Sequence, residues 1–219
     1  HTPFGHAGEE VLNKIVPGGF RHPEQSLRVV DEIERLNLTA EVRDGIVKHT
    51  KRGGPIVPKK HSLMALTLEG QIVRVADSIA YLNHDLDDAL RARVVSRRKV
   101  VSEAGDCLKR LGTSHSQRIG RMVRDVVDTT LQSGKQHISA SKDMLESAMR
   151  LRRFLDSEVY SGAAVHDDFI KASKVIRELY EYYLASPEAF AREVGKISHD
   201  EEPHRQVCDF ISGMTDRYA

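Results

Sequence analysis

Three clusters of side chains in this sequence could do chemistry. The first is the N-terminal run His1-Thr2-Pro3-Phe4-Gly5-His6-Ala7-Gly8-Glu9. Its Pro and Gly residues predict a tight turn leading into a helix. His6 and Glu9 are three apart, so on a helix they share a face and can touch. A carboxylate against an imidazole favours the protonated ring and fixes its orientation. That suits a general acid that hands a proton to a leaving alkoxide. A surface turn with a capping Glu accounts for the same spacing, and on spacing alone it is the better reading. The second cluster is Phe20-Arg21-His22-Pro23-Glu24-Gln25. His22 stands at an expected helix N-terminus beside Arg21, where an anion is welcome. Taken alone, it reads as a capping histidine.

The third cluster spans Glu69 to Asp88. Asp77, Tyr81 and Asp85 recur at steps of four and so line one stripe of one helix. The apolar positions Ile72, Ala76, Ile79, Leu86 and Leu90 run beside them. This predicts Asp77 near the core-facing boundary, where a carboxylate needs a cation or hydrogen-bond donors to offset its desolvation. A metal would serve, and an amphipathic helix with an acidic flank accounts for the pattern equally well. Among the remaining histidines, His49 should end a helix, His61 closes a basic loop, and His84 can pair with Asp88 at i,i+4. His115, His137, His166, His199 and His204 read as surface residues. Arg150, Arg152 and Arg153 form a basic group on one helix, most simply a solvated face. Arg91–Lys99 reads the same way, because it lacks the aromatic residues that base stacking wants.

The elements that must position these groups are helical. Apolar residues recur at three- and four-residue steps through Val11–Val16, Leu27–Leu36, Val42–Val47, Ile72–Val94, Ile119–Leu131, Met144–Val159, Phe169–Leu184 and Val207–Met214. Strand-like alternation is nearly absent, so the fold class expected is all-α. His22-Pro23-Glu24 and Ser186-Pro187-Glu188 each mark a helix start. Lys51–His61, with two Gly, two Pro and clustered positive charge, predicts a loop. Val95–Lys99 interrupts the long helix. The layout expected is therefore residues 1–96 as one region and 97–219 as a second.

Composition bounds the function classes. The chain has 219 residues, 40% hydrophobic and 30% charged, with a formal net charge of +1. That balance predicts neither a nucleic-acid binder nor an acidic partner. Cys107 and Cys208 make neither a disulfide framework nor a zinc site, which points to a reducing, cytoplasmic setting. No apolar run reaches the roughly 20 residues that span a bilayer. The sequence begins at His1, so residues preceding it are expected in the natural protein.

Four segments together resemble one family. HTPFGHAGE is similar to the second half of the histidine–aspartate motif of bacterial deoxynucleoside triphosphate triphosphohydrolases of the HD superfamily, the dGTPase-like group. FRHPEQS resembles the segment carrying a further active-site histidine. VADSIAYLNHDLDDA resembles the helix with the last metal aspartate, and DFISGMTDRYA resembles the family's C-terminal signature. The order is the family's, and the segments span the chain.

The resemblance implies an HD-type helical core over 1–96, incomplete at its N-terminus, then a phosphohydrolase-associated helical region over 97–219. It implies release of deoxynucleoside and triphosphate from a dNTP such as dGTP. Asp77 would bind a divalent metal (Mn, Mg, Fe, Co, Ni or Zn). His6 with Glu9 would be the catalytic pair, and His1 and His22 would contact the triphosphate or assist transfer. Tyr81 and Asp85 would read the sugar edge. A homo-oligomer is implied, with no membrane and no more than a secondary role for nucleic acid.

Two departures qualify this. The family's other metal ligands lie upstream of His1, so these 219 residues alone are expected to bind metal poorly and to be inactive. Ser78 stands where some relatives carry a phosphate-reaching lysine, which leaves that task to Arg74, Lys59, Lys60 or residues the sequence does not single out. Two alternatives stay open: an HD phosphohydrolase acting on another nucleotide, and a catalytically silent nucleotide-binding or oligomerisation module.

Overall fold

The computed structural model describes residues 2–50, 54–58, 60–134, 136–160, 163–195 and 200–219, with backbone alone at 61 and 163–168. Among these residues there is no strand, and ten α-helices follow one another. They are α1 (His6–Ile15), α2 (His22–Arg28), α3 (Ala40–Lys48), α4 (Leu68–Arg91), α5 (Arg97–Leu111), α6 (His115–Gln132), α7 (Lys142–Leu155), α8 (Ala163–Ala185), α9 (Pro187–Val194) and α10 (Pro203–Ser212). The all-α expectation holds. Wider π-type turns extend α2 over Val29–Ile33 and α7 over Asp156–Tyr160.

Local chemistry explains the starts. Thr39, Thr67, Ser96, Ser114 and Ser141 each accept a backbone N–H with the side-chain oxygen at the N-cap. Each such cap stabilises its helix by about 1 kcal/mol. α2, α9 and α10 instead carry Pro in the first turn, where its missing N–H costs nothing.

The chain forms two compact units: His1–Asn37 with His166–Ala219, and Leu38–Val165. The first is built around Val11, Leu12, Val16, Phe20, Ile176, Tyr180, Phe190, Val207, Cys208 and Ile211. Residues from both ends of the chain thus share one core. The second unit packs α4, α5, α6 and α7 around Leu86, Leu111, Met122, Leu151 and Leu155. The turn between α4 and α5, over residues 92–96, lies inside this second unit.

The apolar periodicity of the sequence does not mark α5. That helix buries Val100, Ala104, Cys107, Leu108 and Leu111. Small and polar residues between them hide that stripe from a hydrophobic count. At the crossing of α3 and α4, a Cβ on Gly70 would stand 3.2 Å from the Gly45 Cα and 2.7 Å from the Ala65 Cβ, so glycine is required there.

The second unit also holds a buried polar network. Arg118, 2% exposed, donates through Nε to Asn83 Oδ1 at 2.8 Å and through Nη2 to Asp87 Oδ1 at 2.5 Å. Asn83 in turn donates to the Ile79 carbonyl at 2.7 Å. His115 Nδ1 lies 2.8 Å from the other Asp87 oxygen, and its ring is 5.0 Å from that of His84. The expected His84–Asp88 pair does not form: Asp88 pairs with Arg91, and His84 faces His115. α6 reaches α4 on this side and supplies partners the sequence spacing could not show.

Candidate functional site

In the first unit the N-terminal motif folds as expected from its Pro and Gly content. Thr2 Oγ1 donates to the Gly5 carbonyl at 2.7 Å, and Phe4 and Gly5 take φ values of 59° and 56°. The turn delivers His6 as the first residue of α1. Gly8 has no room for a side chain, because a Cβ would lie 2.0 Å from the Pro3 carbonyl. His1 lies outside the described residues.

Glu9 is the organising carboxylate of this unit, and its main partner is His22. The His22 Nδ1 sits 2.7 Å from Glu9 Oε2, and the His22 backbone N–H donates to Oε1 at 2.9 Å. The His6 ring is edge-on to that of His22, with centroids 6.5 Å apart. His6 was paired with Glu9 from their i,i+3 spacing; the closest contact on that carboxylate instead comes from α2. Burial works to raise the Glu9 carboxyl. The ring and backbone hydrogen bonds from His22, with the charges of His22 and His6, outweigh it and hold the carboxyl below its ordinary value. The result is one carboxylate, one half-buried imidazole fixed upon it, and one exposed imidazole beside the pair. Such a set can hold a proton at a ring nitrogen and present it to a ligand.

The C-terminal signature has a positioning role that its sequence does not advertise. Asp216 Oδ1 accepts the Phe4 backbone N–H at 2.7 Å, bracing the turn before His6. Asp209 accepts from Gln25 Nε2 at 2.7 Å and from Arg28 Nε at 2.8 Å, bracing the helix that carries His22. Arg205 bonds Gln25, and Glu201 joins Arg28 at 2.6 Å. Both histidine segments are thus tied to α10 and the residues after it.

In the second unit α4 carries Asp77, Tyr81 and Asp85. The burial expected for Asp77 is a point the structure corrects. The buried stripe of α4 is Val75, Ile79, Leu82, Leu86 and Ala89, whereas Ile72 and Ala76 are exposed. Asp77 lies opposite Val75 on the helix and is exposed. Its carboxylate therefore needs no cation to offset desolvation in this chain.

Arg74 also departs from expectation. It is 6% exposed and donates to the carbonyls of Thr50 at 2.5 Å and Lys48 at 3.2 Å. It holds the end of α3 in place and does not reach outward. Lys59 lies outside the described residues.

Tyr81 and Asp85 do come together, with a partner that sequence reasoning did not single out. The Tyr160 hydroxyl donates to Asp85 Oδ2, and the rings of Tyr81 and Tyr160 lie 6.4 Å apart. Burial of the hydroxyl end, then the Asp85 bond, pushes the Tyr160 phenol far above its ordinary range. Burial also raises Tyr81, with the Asp85 charge adding to it. Arg152 stands close enough to Tyr81 to oppose that rise, and its Nη1 donates to the Gly54 carbonyl at 3.0 Å. Arg152 is half-buried, unlike exposed Arg150 and Arg153. The cluster offers a carboxylate between two neutral phenols, fit to bind a hydroxylated ring. The signal for Tyr160 lies in tertiary structure: it is 75 residues from Asp85.

Among the described residues, no group of three or more His, Cys, Asp and Glu side chains converges to hold a metal ion. Asp77 alone does not make a metal centre.

The comparisons with known proteins define first a class. Residues 138–219 match the family model of the phosphohydrolase-associated domain, the stretch that includes α10 and its braces on the histidine segments. The whole chain is 44% identical over 230 residues to a deoxyguanosinetriphosphate triphosphohydrolase-like protein of Desulfatibacillum aliphaticivorans, covering 65% of that protein. It is 44% identical over 223 residues to one from Caldanaerobacter subterraneus subsp. tengcongensis, covering 61%. With one from Geobacter sulfurreducens the identity is 33% over 261 residues, covering 68%. The chain belongs to this deoxyguanosinetriphosphate triphosphohydrolase-like family. It spans less than two thirds of the length of the first two relatives.

Proposed function

We propose that this chain is the larger part of a deoxynucleoside triphosphate triphosphohydrolase, releasing deoxynucleoside and intact triphosphate. The observation that carries the reading is the Glu9 carboxylate fixed on His22, with the His6 ring edge-on beside it. The relatives' names give that cluster a reaction to serve. His6, exposed at the start of α1, donates the proton to the leaving 5′-oxygen. Glu9 and His22 keep that region charged and oriented, and His22 with His1 contacts the triphosphate. Tyr81, Asp85 and Tyr160 receive the sugar, with Asp85 accepting from the 3′-hydroxyl. Residues 1–96 act as the catalytic region and 97–219 as the associated one, in a reducing, cytoplasmic setting in keeping with two buried free thiols. No helix of the described residues is long and apolar enough to cross a membrane.

Divalent metal dependence belongs to the same reading, with Asp77 as one ligand and the rest from residues upstream of His1. The described residues do not complete such a site. Elemental analysis of the protein with its natural flanking sequence tests the assignment. Asp77→Ala should lower metal content, and unchanged stoichiometry removes Asp77 from the set.

The deciding experiment is product analysis. Incubation of that protein with dGTP should yield tripolyphosphate and deoxyguanosine, and His6→Ala should lower turnover by about 100-fold or more while nucleotide binding survives. Pyrophosphate or orthophosphate as the first product would favour a phosphohydrolase acting on another nucleotide. Binding without hydrolysis would favour a silent nucleotide-binding module.

A further inference from the structure

We propose that His84 and His115 form a binding site for a divalent transition-metal ion of the zinc, nickel or copper kind, which ties α6 to α4. His84 stands on the exposed side of α4, and His115 is the first residue of α6. Their ring centroids are 5.0 Å apart and the planes are inclined at 54°, too steep for a flat stack. Chelation sets a length for comparison. With metal–nitrogen bonds of about 2.1 Å, and a ring nitrogen about 1.1 Å from its ring centre, two imidazoles on one tetrahedral ion have centroids about 5.2 Å apart. At the right angle of square coordination the separation is about 4.5 Å. The spacing in this chain falls between the two.

The surroundings decide which nitrogens are available. His115 Nδ1 is buried, makes no hydrogen bond of good geometry and lies 2.8 Å from Asp87 Oδ2. A carboxylate at that nitrogen keeps the ring proton on Nδ1 and leaves the lone pair on Nε2. The His115 side chain is 33% exposed, and with Nδ1 enclosed its open edge is the one that bears Nε2. Carboxylate, imidazole and metal in that order is the usual arrangement of a ligating histidine. Asp87 is itself fixed, because Arg118 donates to its other oxygen at 2.5 Å. The His84 ring touches the His115 ring and forms no hydrogen bond or ion pair among the described residues. Asp88, one turn further along α4, is committed to Arg91 and leaves His84 free for a ligand.

No third His, Cys, Asp or Glu of the described residues converges on the pair, so water completes the coordination sphere. Two imidazoles select against magnesium and calcium, which take oxygen ligands, and favour copper over nickel and zinc. Asp77 lies seven residues earlier on α4, about 10 Å along the helix and too far to share an ion with His84. The site is thus separate from the metal of the proposed reaction and stands whether or not that reading does. An ion held here links the helix of Tyr81 and Asp85 to α6, and so stabilises the second unit by mass action.

Calorimetric titration of the chelator-treated chain with zinc, and separately with copper, tests the proposal. Copper should bind more tightly than zinc, and excess magnesium should compete with neither. His84→Ala and His115→Ala should each weaken zinc binding by about tenfold or more, and Asp87→Asn by about 10- to 100-fold. His84 is exposed, so His84→Ala should melt like the wild type without metal, and zinc should raise the melting temperature of the wild type alone. Paramagnetic resonance of bound copper should show two nitrogen ligands in the wild type and one in His84→Ala. A wild-type chain that takes up neither ion with a Kd below about 1 mM overturns the proposal. Zinc binding unchanged in His84→Ala overturns it as well. So does binding that survives His84→Ala and disappears in His22→Ala, which would place the ion at the N-terminal histidines.

Discussion

At the residue scale, what can be read from a sequence is which groups are chemically able, and what cannot is which neighbour each one meets. His6, Glu9 and His22 were all visible as candidates, and the spacing paired the first two. The structure sets His22 on Glu9 because α2 returns its first residue to α1 across a thirteen-residue gap. The same limit hid Tyr160, whose bond to Asp85 is invisible to any local pattern. Tyr160→Phe should keep the fold and raise KM for a deoxynucleotide several-fold, while kcat changes less, because a ring-binding contact is removed and the proton donor is left intact. An unchanged KM would take Tyr160 out of the sugar site.

Glu9 carries a prediction about pH. Its carboxyl is held below the ordinary value of 4.5 in the folded chain. The stabilisation from its bonds is therefore fully present above that value and is lost as pH falls through the folded one. Glu9→Gln should cost about 1 kcal/mol at neutral pH, after allowance for its part exposure. The cost should shrink toward pH 3. Unfolding midpoints in denaturant at several pH values would show a constant difference if Glu9 is not the titrating group.

At the element scale the helices were legible and their faces less so. The period of α4 was clear, but the stripe read from it was rotated. Ile79 and Leu86 are buried as the period predicts, but Ile72 and Ala76 are exposed, and Val75, Leu82 and Ala89 complete the buried side. The helix is apolar on more than one side near its start, with Leu68, Ile72 and Val73 all exposed, so hydrophobicity alone does not say which side meets α6 and α7. α5 was missed for the opposite reason, since too few large apolar residues mark its buried side. The orientation of α4 is fixed by Arg118, which reaches from α6 to Asn83 and Asp87. Arg118→Ala should destabilise the second unit by about 3 kcal/mol, because it strands Asn83 and Asp87 without their donor. Arg118→Met, which keeps the volume, should lose much the same, and a loss below about 0.5 kcal/mol in both would make the network incidental.

At the scale of the whole molecule the path of the chain matters more than any one motif. The sequence pattern divides the chain near residue 96, where a turn joins α4 to α5. Compactness follows a different line, since residues 1–37 and 166–219 build one core between them. Leu12, Ile176, Val207 and Ile211 are each fully buried in it, or nearly so. The stretch recognised as the phosphohydrolase-associated domain, 138–219, therefore mixes α7 of the second unit with helices that need α1 for their core. Expressed alone, 138–219 should show helical content without a cooperative thermal transition, because the apolar surface that meets Val11, Leu12 and Phe20 would be left in water. The fragment 38–165, which holds its own core, should melt cooperatively. In it Leu151→Ala should cost about 2–5 kcal/mol. Cys208 offers a chemical readout of the first unit. It has no exposed surface, and burial pushes its thiol up to about 12, so it should resist alkylation in the folded chain. In 138–219 alone it should react at the rate of a free thiol. Protection of Cys208 in that fragment would mean that the C-terminal helices close their core without the N-terminal ones.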